Sequence, residues 1–323
     1  MNHPVLYPMQ LSPVCRSTIW GGNRMRDCFG FQTRLENIAE AWMLSARDDN
    51  PGFIVNGEYM GLRIDRLLQD APQLLKKGNT DPACPLLIKF IDARDKLSIQ
   101  VHPDDAYAKA AGCADPRGKT EMWIVLEASM GAELIFGTTQ AFTQDQLRRA
   151  IEEGTLETLM KRVPVRPGDV FYIPAGLIHA IGGGILLAEI QQNCDTTYRV
   201  YDYNRRQADG TLRALHIDDA VACSRYFTDA EIDDLRYERG DRSSLADAAY
   251  FHAELENVRD SRTFSVGEDS FVSLLVTAGA GVLTHGDTDY PLRAGDSYFL
   301  PAGMGEYHVR GTDGAVTLIL SRT

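Results

Sequence analysis

Between Leu97 and His102 hydrophobic and polar positions alternate, so Leu97, Ile99 and Val101 point one way while Ser98, Gln100 and His102 point the other. Pro103 biases His102 away from helical geometry, which supports a strand. The helix-prone DDAYAKAAG and the turn-rich ADPRG then lead into a second alternating run, in which Lys119, Glu121 and Trp123 share a face. Helical spacing replaces alternation in two places. GLRIDRLLQDAPQLLKK carries Leu62, Ile64, Leu67 and Leu68 on one side and predicts a helix covering a sheet, and TTQAFTQDQLRRAIEEGTLETLMKR predicts helix, turn and helix inserted between strands.

One turn-and-strand pattern occurs twice, as VRPGDVFYIPAGLIHAI and as LRAGDSYFLPAGMGEYHV. Gly168 and Asp169 align with Gly295 and Asp296, and Pro174, Ala175 and Gly176 with Pro301, Ala302 and Gly303, at one constant offset. This suggests duplication of an all-β unit. The junction falls in the charged, weakly periodic stretch after Arg225, dividing the chain into residues 1–238 and 239–323. The copies differ chemically. Glu306 stands where the first copy has His179, so the second unit is expected to hold no metal and to serve as structure or as a wall of the site.

In the first copy, Gln100, His102 and Glu121 lying side by side give three ligands of a divalent ion with a nitrogen and oxygen shell, and His179 supplies a further nitrogen. Any one of these alone on a strand is ordinarily solvated or hydrogen-bonded. Trp20, before Gly21 and Gly22, is a candidate substrate-contacting aromatic. The other histidines, His3, His216, His252, His285 and His308, lack partner spacing and read as structural or solvated, with Glu306 and His308 as a vestigial pair to watch.

At 323 residues the chain has room for about two domains, and its net charge of −12 argues against nucleic acid and anionic membrane as partners. A small anionic substrate stays open, because a few local cations can dominate a pocket. No secretory signal pattern and no stretch of roughly 18 apolar residues is present, so the expectation is a cytoplasmic protein. The six cysteines are scattered without a CxxC pair and read as reduced thiols.

The motifs IKFIDARDKLSIQVHPDD, GKTEMW and PAGLIHAIGGGILLAEIQQNCDTTYRVYDYNR together resemble type I mannose-6-phosphate isomerases, in their short bacterial form. That resemblance implies a mainly β fold of two cupin domains, jelly-roll-like β-barrels, with helical insertions in the N-terminal part: a catalytic unit over 1–238 and a cupin without metal over 239–323. It implies one zinc per chain, with manganese or cobalt as alternatives, on Gln100, His102, Glu121 and His179. It places the family's catalytic groups on Arg199, Lys119, Glu189 and Asp195, and its substrate side on Ser98, Lys119 and Arg205, to which the residue reading adds Trp20. For Arg199 the ordinary alternative is a structural pair with Asp195 or Asp202. The implied reaction interconverts mannose 6-phosphate and fructose 6-phosphate through an enediol, in a monomer or homodimer. A silent sugar-phosphate-binding cupin is the competing reading. An iron dioxygenase fits less well, because Gln100 is a poor member of its usual ligand sets.

Overall fold

A computed structural model describes residues 4–207, 209–238 and 244–323; His3 and the junction at 239–243 lie outside the described residues. The architecture is mainly β and cupin-like, built of open sheets rather than fully closed barrels. Two compact units are present. One gathers residues 1–16, 23–90 and 241–323, the other 17–22 and 91–240.

In the first unit a six-stranded sheet runs in the order Met9–Leu11, Ser297–Leu300, Val272–Ala278, Val316–Arg322, His252–Val258, Ser244–Asp247. Its companion has four strands: Arg262–Val266, Gly305–Gly311, Ala280–His285 and Thr288–Arg293. Leu274, Val276, Leu283, Tyr298, Tyr307, Val309 and Leu318 form the apolar core of this pair. The N-terminal strand belongs here by register, Met9 opposite Phe299 and Leu11 opposite Ser297. Alternation puts Glu306 and His308 on the exposed side of their strand, with His308 Nδ1 2.8 Å from the Thr263 hydroxyl. The counterpart of His179 therefore faces away from the core, and no ligand group forms there among the described residues.

The second unit carries the sequence-predicted ligands. One sheet runs Tyr198–Tyr201, Ile99–Val101, His179–Ile181, Glu133–Thr138, Met160–Pro164. On the other, Glu121–Ala128 lies between Asp169–Ile173 and Ile185–Gln192. Ile99, Val101, Ile135, Ala180, Tyr198 and Val200 turn outward and are covered by Leu147, Ala150 and Ile151 of the helix Gln144–Glu152 and by Ala220 and Val221 of Ile217–Cys223. The apolar side of the alternating run is thus buried under helices, which leaves Gln100 on the opposite, inward side.

Both predicted helical regions are shorter than their apolar spacing suggested. The first is Ile64–Asp70, followed by a 3-10 turn at Pro72–Leu74, because Pro72 has no amide hydrogen to continue the ladder. The second is Gln144–Glu152, opened by a Thr143/Gln146 capping box and ended before Gly154, which takes a left-handed φ of 68°. Its expected partner is only a 3-10 turn, Leu156–Leu159, running into the strand Met160–Pro164.

Candidate metal centre

Strand register assembles the centre. Across the first sheet one row reads Arg199, Gln100, His179, Phe136, each residue directly opposite the next. Directly opposed residues project to the same face, so these four side chains point inward together. The second sheet supplies two rows, Gln191, Glu121, Ile173 and Glu189, Trp123, Phe171. The Trp123 ring stands edge-on to the His179 imidazole at 5.4 Å.

Ligating atoms of His102, Glu121 and His179 lie within 4.8 Å of one another, and all three side chains are buried. Backbone carbonyls fix both imidazoles. His102 Nδ1 is 3.0 Å from the Thr196 oxygen and His179 Nδ1 is 2.8 Å from the Leu177 oxygen. A carbonyl only accepts, so each Nδ1 carries the proton and each Nε2 presents a lone pair. Those lone pairs face Glu121, with His102 Nε2 3.6 Å from Oε2 and His179 Nε2 3.4 Å from Oε1. Glu121 Oε1 is buried and has no hydrogen-bond donor among the described residues. The Gln100 amide nitrogen is 3.4 Å from His179 Nε2, and a half-turn of that amide brings its oxygen to the same place.

Two imidazole lone pairs facing the two oxygens of one buried carboxylate repel it unless a cation joins them. The donor set therefore fits a divalent ion that accepts nitrogen and oxygen ligands. Lys119 is the nearest cation. Only 4% exposed, its Nζ lies 2.6 Å from Glu121 Oε2 and 3.1 Å from His102 Nε2. Electrostatics follow from this crowding. Burial, then the charge of Lys119, pushes the His102 imidazolium pKa down; burial, then His102, pushes that of His179 down to about 3. Burial raises the Glu121 carboxyl, but Lys119 and His102 outweigh it and hold it well below the usual range.

Around this centre the candidates divide. Arg199 is half-buried; its backbone N–H donates to His216 Nδ1 and its Nη1 to the Ala214 carbonyl. It forms no ion pair among the described residues. Asp202 instead accepts from Arg205 and Arg213 together, and Arg205 also donates to the Lys96 carbonyl. Burial and the nearby Arg213 lower the Arg199 pKa. Glu189 is buried and accepts from the Trp123 indole at 2.8 Å, one row along from Glu121. Ser98 is buried, Asp195 partly exposed and Trp20 only 4% exposed, its carbonyl accepting from the Asp95 amide.

The family model described as phosphomannose isomerase type I, catalytic domain, matches residues 9–153, and that of the mannose-6-phosphate isomerase cupin domain matches 242–322. Mannose-6-phosphate isomerase ManA of Bacillus subtilis is 36% identical over 307 residues, 94% of this chain and 96% of that one. The chain belongs to the type I phosphomannose isomerase family. The crystal structure of the mannose 6-phosphate isomerase from Bacillus subtilis superposes with a TM-score of 0.86 at 33% identity, covering 97% of this chain and 99% of the other. A zinc-bound mannose 6-phosphate isomerase structure shares the fold at TM-score 0.77 and 16% identity, covering 97% and 98%. Within the family frame, sequence reasoning had missed the carbonyls of Thr196 and Leu177, the acceptor His216, and Gln191 beside Glu121. Backbone acceptors carry no residue signature; only the register of the Glu121 strand would have exposed Gln191.

Proposed function

We propose that this enzyme interconverts D-mannose 6-phosphate and D-fructose 6-phosphate, with one zinc ion per chain held by Gln100, His102, Glu121 and His179; manganese or cobalt would suit the same donors. The observation that carries the reading is the convergence of two neutral imidazoles on one buried carboxylate, in a chain 36% identical to named mannose-6-phosphate isomerases. In this reading residues 1–238 are the catalytic part and 239–323 a cupin without a metal site.

The reaction removes the C2 hydrogen as a proton while the C1 carbonyl oxygen gains one, giving a cis-enediol; O2 then loses its proton and C1 is protonated. An ion held by Gln100, His102, Glu121 and His179 would supply Lewis-acid polarisation for the sugar oxygens. Lys119, buried with Nζ 2.6 Å from Glu121 Oε2, is placed to carry a proton at the reacting carbons. Arg199, fixed in the same inward row as Gln100 and carrying no carboxylate partner among the described residues, supplies permanent positive charge for the enediolate oxygen or the phosphate. Glu189, held by Trp123, is the rival base, with Asp195 as companion to Arg199. On the phosphate side Ser98 lies two positions before Gln100, Arg205 is engaged by Asp202 and the Lys96 carbonyl and would have to leave them, and Trp20 is buried.

The test is a coupled assay with mannose 6-phosphate on purified protein, beside elemental analysis. Turnover should vanish on chelation and return with zinc. Undiminished turnover in metal-stripped protein, or none in the zinc-loaded protein, overturns the proposal. A silent sugar-phosphate binder would bind substrate and never turn it over.

A further inference from the structure

Gln191 stands directly opposite Glu121 in the second sheet and is completely buried. Both hydrogens of its amide are committed, Nε2 donating to the carbonyls of Gln192 at 2.8 Å and Cys194 at 2.5 Å. This fixes which end is which: reversing the amide would set its oxygen against two carbonyl oxygens. Oε1 is left as a buried acceptor with no donor among the described residues.

The two carbonyls belong to a tight turn. Cys194 N–H donates to the Gln192 carbonyl at 2.7 Å, and the Thr196 N–H lies 3.4 Å from Cys194 Sγ. The same turn delivers the Thr196 carbonyl to His102 Nδ1. One side chain thus ties the turn that orients a ligand imidazole to the strand position facing the ligand carboxylate.

We infer that Gln191 is a positioning residue of the metal centre, acting through the 192–196 turn on the orientation and tautomer of His102. The inference deepens the zinc reading above and rests on it. Partners of this kind typically change metal affinity 10- to 100-fold when removed.

The test compares the full chain with Gln191→Met, which removes both donor and acceptor, and Gln191→Glu, which removes the donors but adds negative charge beside Glu121. Zinc affinity is read by competition with a chromophoric chelator, and folding by circular dichroism. Both variants should bind zinc about 10- to 100-fold more weakly, with turnover recovering in excess zinc. Val163→Ala, in the strand Met160–Pro164, should lower the melting temperature and leave zinc affinity unchanged. Gln191→Glu separates position from charge, since charge alone would tighten binding; it also decides the matter if Gln191→Met does not fold. Zinc affinity within about twofold of the parent in a folded variant, or tighter binding by Gln191→Glu, overturns the inference alone. A parent that binds no zinc overturns the metal reading, and this inference with it.

Discussion

Lys119→Met should weaken catalysis and strengthen metal binding. The Lys119 ammonium sits 2.6 Å from Glu121 Oε2 and 3.1 Å from His102 Nε2, on the electron pairs an ion would use. Removing one partner of a buried ion pair costs about 3–5 kcal/mol, because the other charge stays buried and uncompensated. With an ion bound that charge is compensated again, and the repulsion between ion and ammonium, about 4 kcal/mol for unit charges 4 Å apart at an effective dielectric near 20, is gone. The variant therefore loses stability mainly in its metal-free form. Taking only about 3 kcal/mol of difference, linkage requires zinc to bind about a hundredfold more tightly than to the parent. Urea unfolding at pH 7.5 with and without zinc, together with chelator competition, measures both sides of the cycle. Equal destabilisation in the two forms, or weaker zinc binding, refutes the argument that Lys119 and the ion compete for Glu121.

Three further outcomes follow from the same contacts. His102→Ala should lose bound metal and turnover together, whereas Arg199→Ala should keep the metal and lose turnover, as elemental analysis beside the coupled assay will show. Both ligand imidazolium pKa values are depressed, that of His179 to about 3. Below about pH 6.5 the unfolded chain binds protons that both buried imidazoles refuse in the metal-free fold, so stability is full above that pH and falls as pH drops, by about 1.4 kcal/mol per unit for His179 down to about pH 3; urea midpoints that stay level from pH 7.5 to 4.5 contradict this. Asp202 is also depressed: burial raises its carboxyl but the bonds from Arg213 and Arg205 outweigh it, so its contribution is present above the ordinary carboxylate range and lost as pH falls through its lowered value. Asp202→Asn should cost about 2–3 kcal/mol at neutral pH and nearly nothing in acid, read by urea unfolding at the two extremes.

Much of the centre was legible because alternation is a backbone property. Placing Ile99 and Val101 outward forces Gln100 inward, and the turn repeat located His179. What alternation could not supply was register. Whether Arg199 meets Gln100, or Glu189 meets Trp123 rather than Glu121, depends on which strands become neighbours. Partner choice was equally hidden for charges. Asp202 was a natural mate for Arg199 three residues away, yet it is engaged by Arg205 and Arg213, and Arg199 has no carboxylate partner among the described residues. The shortened helices failed for local reasons, Pro72 in one and Gly154 in the other, that overrode apolar spacing.

Gln100 and His179 project from one sheet and Glu121 from the other, so an ion held by the proposed donors would join the two layers. An ion at a hundred times its dissociation constant would stabilise this unit by about 2.7 kcal/mol. Two aromatic contacts also space the sheets: Trp123 edge-on to His179, and Phe136, in the row of Gln100 and His179, edge-on to Phe171 at 5.2 Å. Close packing transmits changes of volume, so shrinking either aromatic alters the distance the ion has to span. Trp123 and Phe136 thus stand on the same inward faces as Glu121 and His179 and set the spacing an ion there would have to span.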